Sequence, residues 1–352
     1  MKNNSKITNL SLKESYNSKR ILVTGGSGFI GISFILKILR ETNSEIFNLD
    51  KIENFNIDTI INSENILSNR YKFLKANLLN EEDLKKIFSL VNPDFIFHFA
   101  AETHVDISIK KPKIFLESNI VGTFNLLNIT LRYFEKLNDE KKSTFRFHHI
   151  STDEVYGSLG KKGLFNEYSR YEPRSPYSAS KAASDHLVKS WHHTYDLPVF
   201  ITNCSNNYGP WQYPDKLIPL IIKRCIQKDL IPIYGDGLNV RDWIFVDDHI
   251  DAILRVCAFG VVGKSYCIGG NTEKTNIEIV KYICNFFNSI DSSFDYFNLI
   301  NYVIDRKGHD RRYAINTKLI KDELDWQPKI KFEDGLNLTI NWYLKNKNWI
   351  KI

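Results

Sequence analysis

Cysteine is scarce in this chain, and what there is forms no pattern. The 352 residues hold five cysteines, Cys204, Cys225, Cys257, Cys267 and Cys284, an odd number with no Cys-x-x-Cys spacing. That argues against a disulfide framework and reads as buried thiols of a reducing cytosol. Long apolar runs are missing too. The first 18 residues are polar, rich in Asn, Ser and Lys, and no later stretch reaches the ~18 uninterrupted apolar residues of a membrane helix. Charge excess is small, a formal +6 with pI near 8.8, and Lys and Arg are dispersed rather than gathered in a stripe. Nucleic acid is therefore not indicated as a partner, while a local basic pocket for an anionic substrate is compatible. Metal motifs are lacking: His148-His149 and His192-His193 are adjacent, so their side chains diverge, and no His-Glu-x-x-His occurs. The expectation is a cytoplasmic protein without metal or membrane span, residues 1–18 forming a loosely attached tail.

What is present points to an α/β protein. An apolar fraction of 43% with 13% aromatics is ample for a core, and the length exceeds that at which single cores stop growing, so two lobes are expected. Arg20–Thr24 reads as a buried strand, followed by Gly25-Gly26-Ser27-Gly28-Phe29-Ile30-Gly31 and a helix-period segment from Ile32 to Arg40. Strand, glycine turn and helix in that order let backbone N–H groups cradle a pyrophosphate. The next strand, Glu45 to Leu49, ends in Asp50, near the ~20-residue offset at which an acid accepts from the adenosine ribose. An acid there disfavours the extra phosphate of NADP, so NAD is preferred, with Lys51 beside it blunting that inference. Further strands are expected at Tyr71–Lys75, Asp94–Ala100, Phe145–Ile150 and Pro198–Thr202, with helices after Asn80, from Asn119 to about Leu137, and from Tyr177 to Tyr195. Repeated βα units of this kind predict a doubly wound parallel sheet with right-handed crossovers.

Two further stretches carry chemistry. Ser151-Thr152-Asp153-Glu154-Val155-Tyr156-Gly157 sets a hydroxyl and two adjacent carboxyls at a strand end, the edge where doubly wound sheets bind ligands and where an acid and a base could share one cleft. Tyr177-Ser178-Ala179-Ser180-Lys181 places Tyr and Lys four apart on one helical face, where the ammonium can lower the phenol's pKa. Beyond Asn203 the chain turns polar and supplies Lys216, Arg224, Arg241, Arg306, Arg311 and Arg312, cations suited to a diphosphate. Asp247-Asp248 reads instead as a helix N-cap. The division predicted is a dinucleotide-binding lobe over 19–203, with 241–262 returning to it, and a second lobe over 204–352.

These motifs together resemble the nucleotide-sugar 4,6-dehydratases of the extended short-chain dehydrogenase/reductase superfamily. The resemblance runs from about Lys19 to about Trp342 and rests on TGGSGFIG (Thr24–Gly31), AAETHVD (Ala100–Asp106), STDEVYG (Ser151–Gly157), SPYSASK (Ser175–Lys181), NNYGP (Asn206–Pro210), RDWIFVDDH (Arg241–His249) and GHDRRYA (Gly308–Ala314). It implies a Rossmann-type sheet with a smaller C-terminal α/β substrate lobe, NAD as cofactor, a nucleotide-diphosphate hexose as substrate and a homodimer formed through the two long helices. Catalysis would fall to Thr152, Asp153, Glu154, Tyr177 and Lys181. NAD would lie against Gly25, Gly28, Phe29, Ile30, Gly31, Asp50, Lys51, Asn77, Leu78, Ala100, Ala101, Thr103, Tyr177, Lys181 and Asn207. Substrate contacts would come from Thr103, Thr152, Asn206, Lys216, Leu217, Pro232, Tyr234, Arg241, Asn276, Arg306 and His309. The implied reaction is dehydration at C5 and C6 of a dTDP-hexose. UDP-glucose, a 4-epimerase or decarboxylase reaction, and a non-catalytic NAD-binding scaffold are the alternatives.

Overall fold

The computed structural model describes residues 12–53, 57, 60, 61 and 68–350. Seven strands, β1 (Arg20–Thr24), β2 (Glu45–Asp50), β3 (Tyr71–Lys75), β4 (Phe95–His98), β5 (Arg146–Thr152), β6 (Val199–Cys204) and β10 (Ser265–Ile268), form one parallel sheet in the order 3-2-1-4-5-6-10. Successive side chains of a strand point to opposite faces. Ile21 and Val23 accordingly join one buried cluster and Leu22 the other, so apolar residues must run without alternation, as they do. Strand order reverses between β1 and β4, and a crevice opens at the carboxyl ends there.

The second part of the chain builds two small sheets over that crevice. β7 (Asn206–Tyr208), β9 (Val240–Phe245) and β11 (Glu273–Thr275) form one, and β8 (Ile231–Tyr234) pairs with β12 (Ile300–Val303) in the other. Between them, the helix Val246–Phe259 packs back on the helix Phe29–Glu41, and β10 joins the large sheet beside β6.

Four sequence readings change. Residues 1–11 lie outside the described residues, but 12–16, read as loose tail, form a helical turn whose Tyr16 is 1% exposed, donates to Leu254 O at 2.7 Å and packs on Phe95 and Phe97. One large aromatic anchors an otherwise polar segment. The helix expected from Asn119 begins earlier, at Pro112, and passes through a π turn, Leu116–Val121, before Gly122–Glu135. Within that turn buried Asn119 holds Glu102 N–H (2.8 Å) and Ser180 Oγ (2.9 Å), a use of a π turn to aim one side chain. The strand expected to stop at Ile150 continues to Thr152 because Ser151 and Thr152 still pair with Asn203 and Cys204 of β6. Asp248 does not cap its own helix, which starts at Val246; its carboxylate accepts from Lys329 and Ile330 N–H (3.0 and 2.9 Å) and fastens the C-terminal segment.

Candidate active site

The β1 turn is shaped by what cannot fit in it. Gly25 has φ +72°, and a Cβ there would lie 2.5 Å from Ala100 N; a Cβ on Gly31 would lie 2.4 Å from Gly25 O. The helix Phe29–Glu41 therefore sits directly on the turn, and its N-terminus, at Gly28, carries no capping side chain. At the end of β2, Asp50 Oδ2 accepts from Ser27 N–H (3.1 Å), which ties the acid to the same turn. Burial raises its pKa, opposed by the N–H groups of Ser27 and Ile52. A backbone cradle for an anion with a carboxylate beside it fits the diphosphate and ribose of a dinucleotide.

Across the crevice, Ser175 caps the helix Pro176–Tyr195: its Oγ accepts from Ser178 N–H, and Ser178 Oγ accepts from Ser175 N–H, each at 3.0 Å, with Pro176 in the first turn. This reciprocal cap places Tyr177 and Lys181 on successive turns facing β5. All the cofactor and substrate candidates named from the sequence line one cavity of about 1310 Å³, as do Thr152, Glu154, Tyr177 and Lys181. Asp153 does not. The chain turns into a short 3₁₀ helix at Asp153–Tyr156, which leaves Glu154 on the wall and puts Asp153 behind it, 1% exposed. Asp153 Oδ1 is 3.4 Å from Thr152 Oγ1, and Oδ2 has no hydrogen-bond partner among the described residues.

Burial raises the pKa of both acids. Asp153 is held well above the ordinary carboxyl value, with Glu154 and Asp242 adding to burial, whereas Arg241 is the main group opposing the rise at Glu154. Asp153 is thus the better proton holder and Glu154 the readier carboxylate. The expected depression of Tyr177 is not found: burial, then Glu154, Cys204 and Asp153, push its phenol well above the ordinary value, and only the Thr152 hydroxyl lowers it. Lys181 instead donates to Ile150 O at 2.9 Å, and burial draws its pKa down to about 8.

The far end of the cavity is cationic. Arg241, 8% exposed, stacks over Tyr313 (4.3 Å) and donates to Asp310 O (2.9 Å). Arg306 Nε is 2.6 Å from Asp106 Oδ1, across the cavity, and its guanidinium lies 5.3 Å over Tyr234. Lys216 donates to Thr103 O (3.2 Å), and His309 pairs with Asp305 (2.6 Å). On the opposite rim Lys51 pairs with Glu102. Arg224, Arg311 and Arg312 are not part of the wall: they pair with Asp229, Asp236 and Glu273. Asp106 and Asp310, which hold the cavity's arginines, were missed as site residues, although both lie within motifs already singled out.

A family profile described as GDP-mannose 4,6 dehydratase matches residues 22–339. A curated dTDP-glucose 4,6-dehydratase of Escherichia coli is 47% identical over 345 residues, spanning 94% of this chain and 95% of its own length. The chain belongs to the dTDP-glucose 4,6-dehydratase family. A second dTDP-glucose 4,6-dehydratase, from Haemophilus influenzae, is 49% identical over 335 residues, 93% of this chain and 98% of that one. Among solved structures, the dTDP-glucose 4,6-dehydratase of Bacillus anthracis in complex with NAD superposes with a TM-score of 0.81 at 43% identity, covering 94% of this chain and 98% of that one. The family's seven-stranded parallel sheet with flanking helices is the one found here.

Proposed function

We propose that the protein is an NAD-dependent hydro-lyase that converts dTDP-glucose to dTDP-4-keto-6-deoxyglucose and water. The observation that carries this reading is the pair of unlike carboxyls at the end of β5, Glu154 on the cavity wall and Asp153 behind it, opposite Tyr177 and Lys181. The Gly25–Gly31 cradle and Asp50 hold the cofactor's diphosphate and ribose, Asn77 and Leu78 border its adenine end, and Ala100, Ala101, Thr103 and Asn207 line its path to Tyr177 and Lys181. Arg241, Arg306 and Lys216 neutralise the substrate diphosphate, with Asn206, Leu217, Pro232, Tyr234, Asn276 and His309 completing that end.

When bound, NAD supplies hydride acceptance from C4 of the sugar and hydride return to C6. Tyr177 Oη, as the phenolate that the positive charge of bound NAD would favour together with the Thr152 hydroxyl, takes the proton of the 4-hydroxyl. The resulting 4-ketone acidifies the hydrogen on C5. Glu154 removes that proton, and Asp153, which keeps its proton and reaches the cavity through the Thr152 hydroxyl 3.4 Å away, supplies the proton taken up by the departing 6-oxygen, so water leaves and a C5–C6 double bond forms. Once C6 has its hydride, Glu154 gives a proton to C5 and the proton held by Tyr177 replaces the one Asp153 lost, so the sum is loss of one water with no net oxidation. The two lobes expected from the sequence divide this work, 19–203 with 241–262 holding NAD and the rest of 204–352 the nucleotide sugar.

The protein works as a cytoplasmic homodimer in this reading. Ile107 and Ile109 on the helix Val105–Lys110, and Ile114, Leu116, Val121 and Phe124 on the helical run that follows from Pro112, are 37–47% exposed. An apolar face of that extent suits a second copy. The run Pro112–Glu135 is long and apolar enough to cross a membrane, but half of it is buried in the body.

The test offers purified protein dTDP-, UDP-, CDP- and GDP-glucose and assays a 4-keto-6-deoxy product. dTDP-glucose is turned over best, and no product from any of them would sink the reading. Glu154→Gln lowers dehydration by ~10²–10⁴-fold, the range of general-base catalysis, while reduced cofactor still accumulates transiently; loss of both together contradicts the assigned roles.

A further inference from the structure

Behind the Lys181 side of the cavity lies a buried polar group that the reaction above leaves unused. Asp185, one helical turn beyond Lys181, is fully buried. Its Oδ2 accepts from Tyr171 Oη (2.8 Å), Ser151 Oγ (2.9 Å) and Asn203 Nδ2 (3.0 Å), and its Oδ1 lies 3.2 Å from His149 Nε2. The same Nε2 is 3.4 Å from Lys181 Nζ. Carboxylate and ammonium thus meet at one edge of the imidazole, the three groups drawn from β5 and one helix, with Lys181 on the cavity wall.

A buried carboxylate is costly unless donors surround it. Here burial would raise the Asp185 pKa, yet His149, Lys181 and Ser151 hold it below the ordinary value, so it is an anion. Burial and the Lys181 ammonium push His149 down to about 4, so it is neutral and carries one ring proton.

The groups facing Lys181 are Asp185 and Tyr177 on its own helix, His149 on β5, Cys204 on β6 and His98 on β4. Tyr177 and Cys204 are raised by burial, Cys204 to about 12, and His98 is lowered well below its ordinary value, chiefly by burial. All three are therefore neutral near pH 7, which leaves Asp185 as the one anion in the set.

We propose that Asp185 is a positioning residue for catalysis: its charge, held beside Lys181 across the Nε2 edge of His149, keeps Lys181 a cation with its remaining N–H groups free for the cavity. Ile150 O takes one ammonium hydrogen, leaving the others for cofactor and substrate. The inference rests on the catalytic reading of Lys181 given above.

Asp185→Asn keeps the shape and most hydrogen bonds but removes the charge. In the full chain with 13C-labelled lysine, the Lys181 Cε resonance, assigned by its loss in Lys181→Arg, titrates lower by roughly one pH unit in this variant, the scale of a nearby opposite charge. The alkaline limb of kcat moves down with it, so that kcat at pH 8 falls about fivefold. Tyr171→Phe removes one hydrogen bond from the same carboxylate and leaves both curves in place. Lys181 titrating alike in wild type and Asp185→Asn overturns the proposal, as does Tyr171→Phe moving it equally. If Asp185→Asn does not fold, the reciprocal measurement decides: in Lys181→Met the Asp185 Cγ titration moves up, and an unmoved midpoint overturns the proposal. A wild-type protein that dehydrates no nucleotide sugar defeats the proposed function and leaves these titrations standing. Unmoved titrations in an active enzyme defeat this inference alone.

Discussion

The two ends of the cavity are made of different material. At the β1 end the wall is backbone: a turn with Gly25 at φ +72°, a helix seated so close that a Cβ on Gly31 would lie 2.4 Å from Gly25 O, and one carboxylate. At the other end it is long side chains, Arg241, Arg306 and Lys216, each engaged with a protein partner, Asp310 O, Asp106 or Thr103 O. A backbone site is set when the chain folds and has no side-chain rotamers to freeze. A side-chain site must exchange its protein partners for the ligand's oxygens, and its loops can vary without disturbing the sheet.

That difference makes its strongest prediction at Gly31. A Cβ there meets Gly25 O and Gly26 Cα (2.7 Å), backbone atoms that cannot swing aside, so the helix must lift off the turn. Gly31→Ala should weaken NAD binding by about 10- to 100-fold, the equivalent of the roughly 1–3 kcal/mol that overpacking costs, and lower Tm by several degrees. Calorimetric titration of cofactor-free protein with NAD measures the first. Unchanged affinity would mean that the turn is not the cradle.

The cationic end should behave oppositely. Arg306 and Asp106 are 24% and 27% exposed, so their pair adds at most about 1 kcal/mol to stability. Arg306→Ala should leave Tm nearly unchanged and raise KM for the nucleotide sugar roughly tenfold, as expected for loss of a charge-assisted hydrogen bond worth about 1.5–3 kcal/mol, with kcat less affected. A matching loss of Tm would erase the distinction between the two ends.

The contrast also decides what could be read in advance. The glycine turn, Asp50 and the Tyr177–Lys181 pair are legible because neighbours in sequence create them: a turn, a strand end, one helical face. Arg306 and Asp106 are 200 positions apart, and Tyr16 and Leu254 are 238 apart, so no local pattern announces either contact. Asp248 obeys the local rule for an N-cap yet serves backbone 81 and 82 positions away. Asp185 was invisible for the same reason: its meaning comes from His149, Tyr171 and Asn203, brought together by the sheet. Sequence adjacency also suggested that Asp153 and Glu154 share one environment, which the 3₁₀ turn at Asp153–Tyr156 prevents.

That separation yields the smallest predicted effect, one of opposite sign to most mutations. Asp153 has a raised pKa in the folded chain, chiefly from burial, so the folded state binds its proton more tightly than the unfolded state does. Stability is then lost as pH rises from near the ordinary value of 3.8 up to the folded-state pKa, and is not regained above it. At pH below the ordinary value the carboxyl is neutral in both states, and Asp153→Asn should change little. Above it the wild type carries the penalty and the variant does not, so the Tm difference should open with pH and reach a few degrees in favour of Asp153→Asn near neutrality, about the shift expected for 1 kcal/mol in a chain of this size. Turnover should fall in the same variant, because an amide has no acid proton for the 6-oxygen, a trade of stability for activity at one residue. Melting curves of the two proteins that stay parallel from pH 4 to 8 would show that Asp153 is as well solvated as an ordinary surface acid.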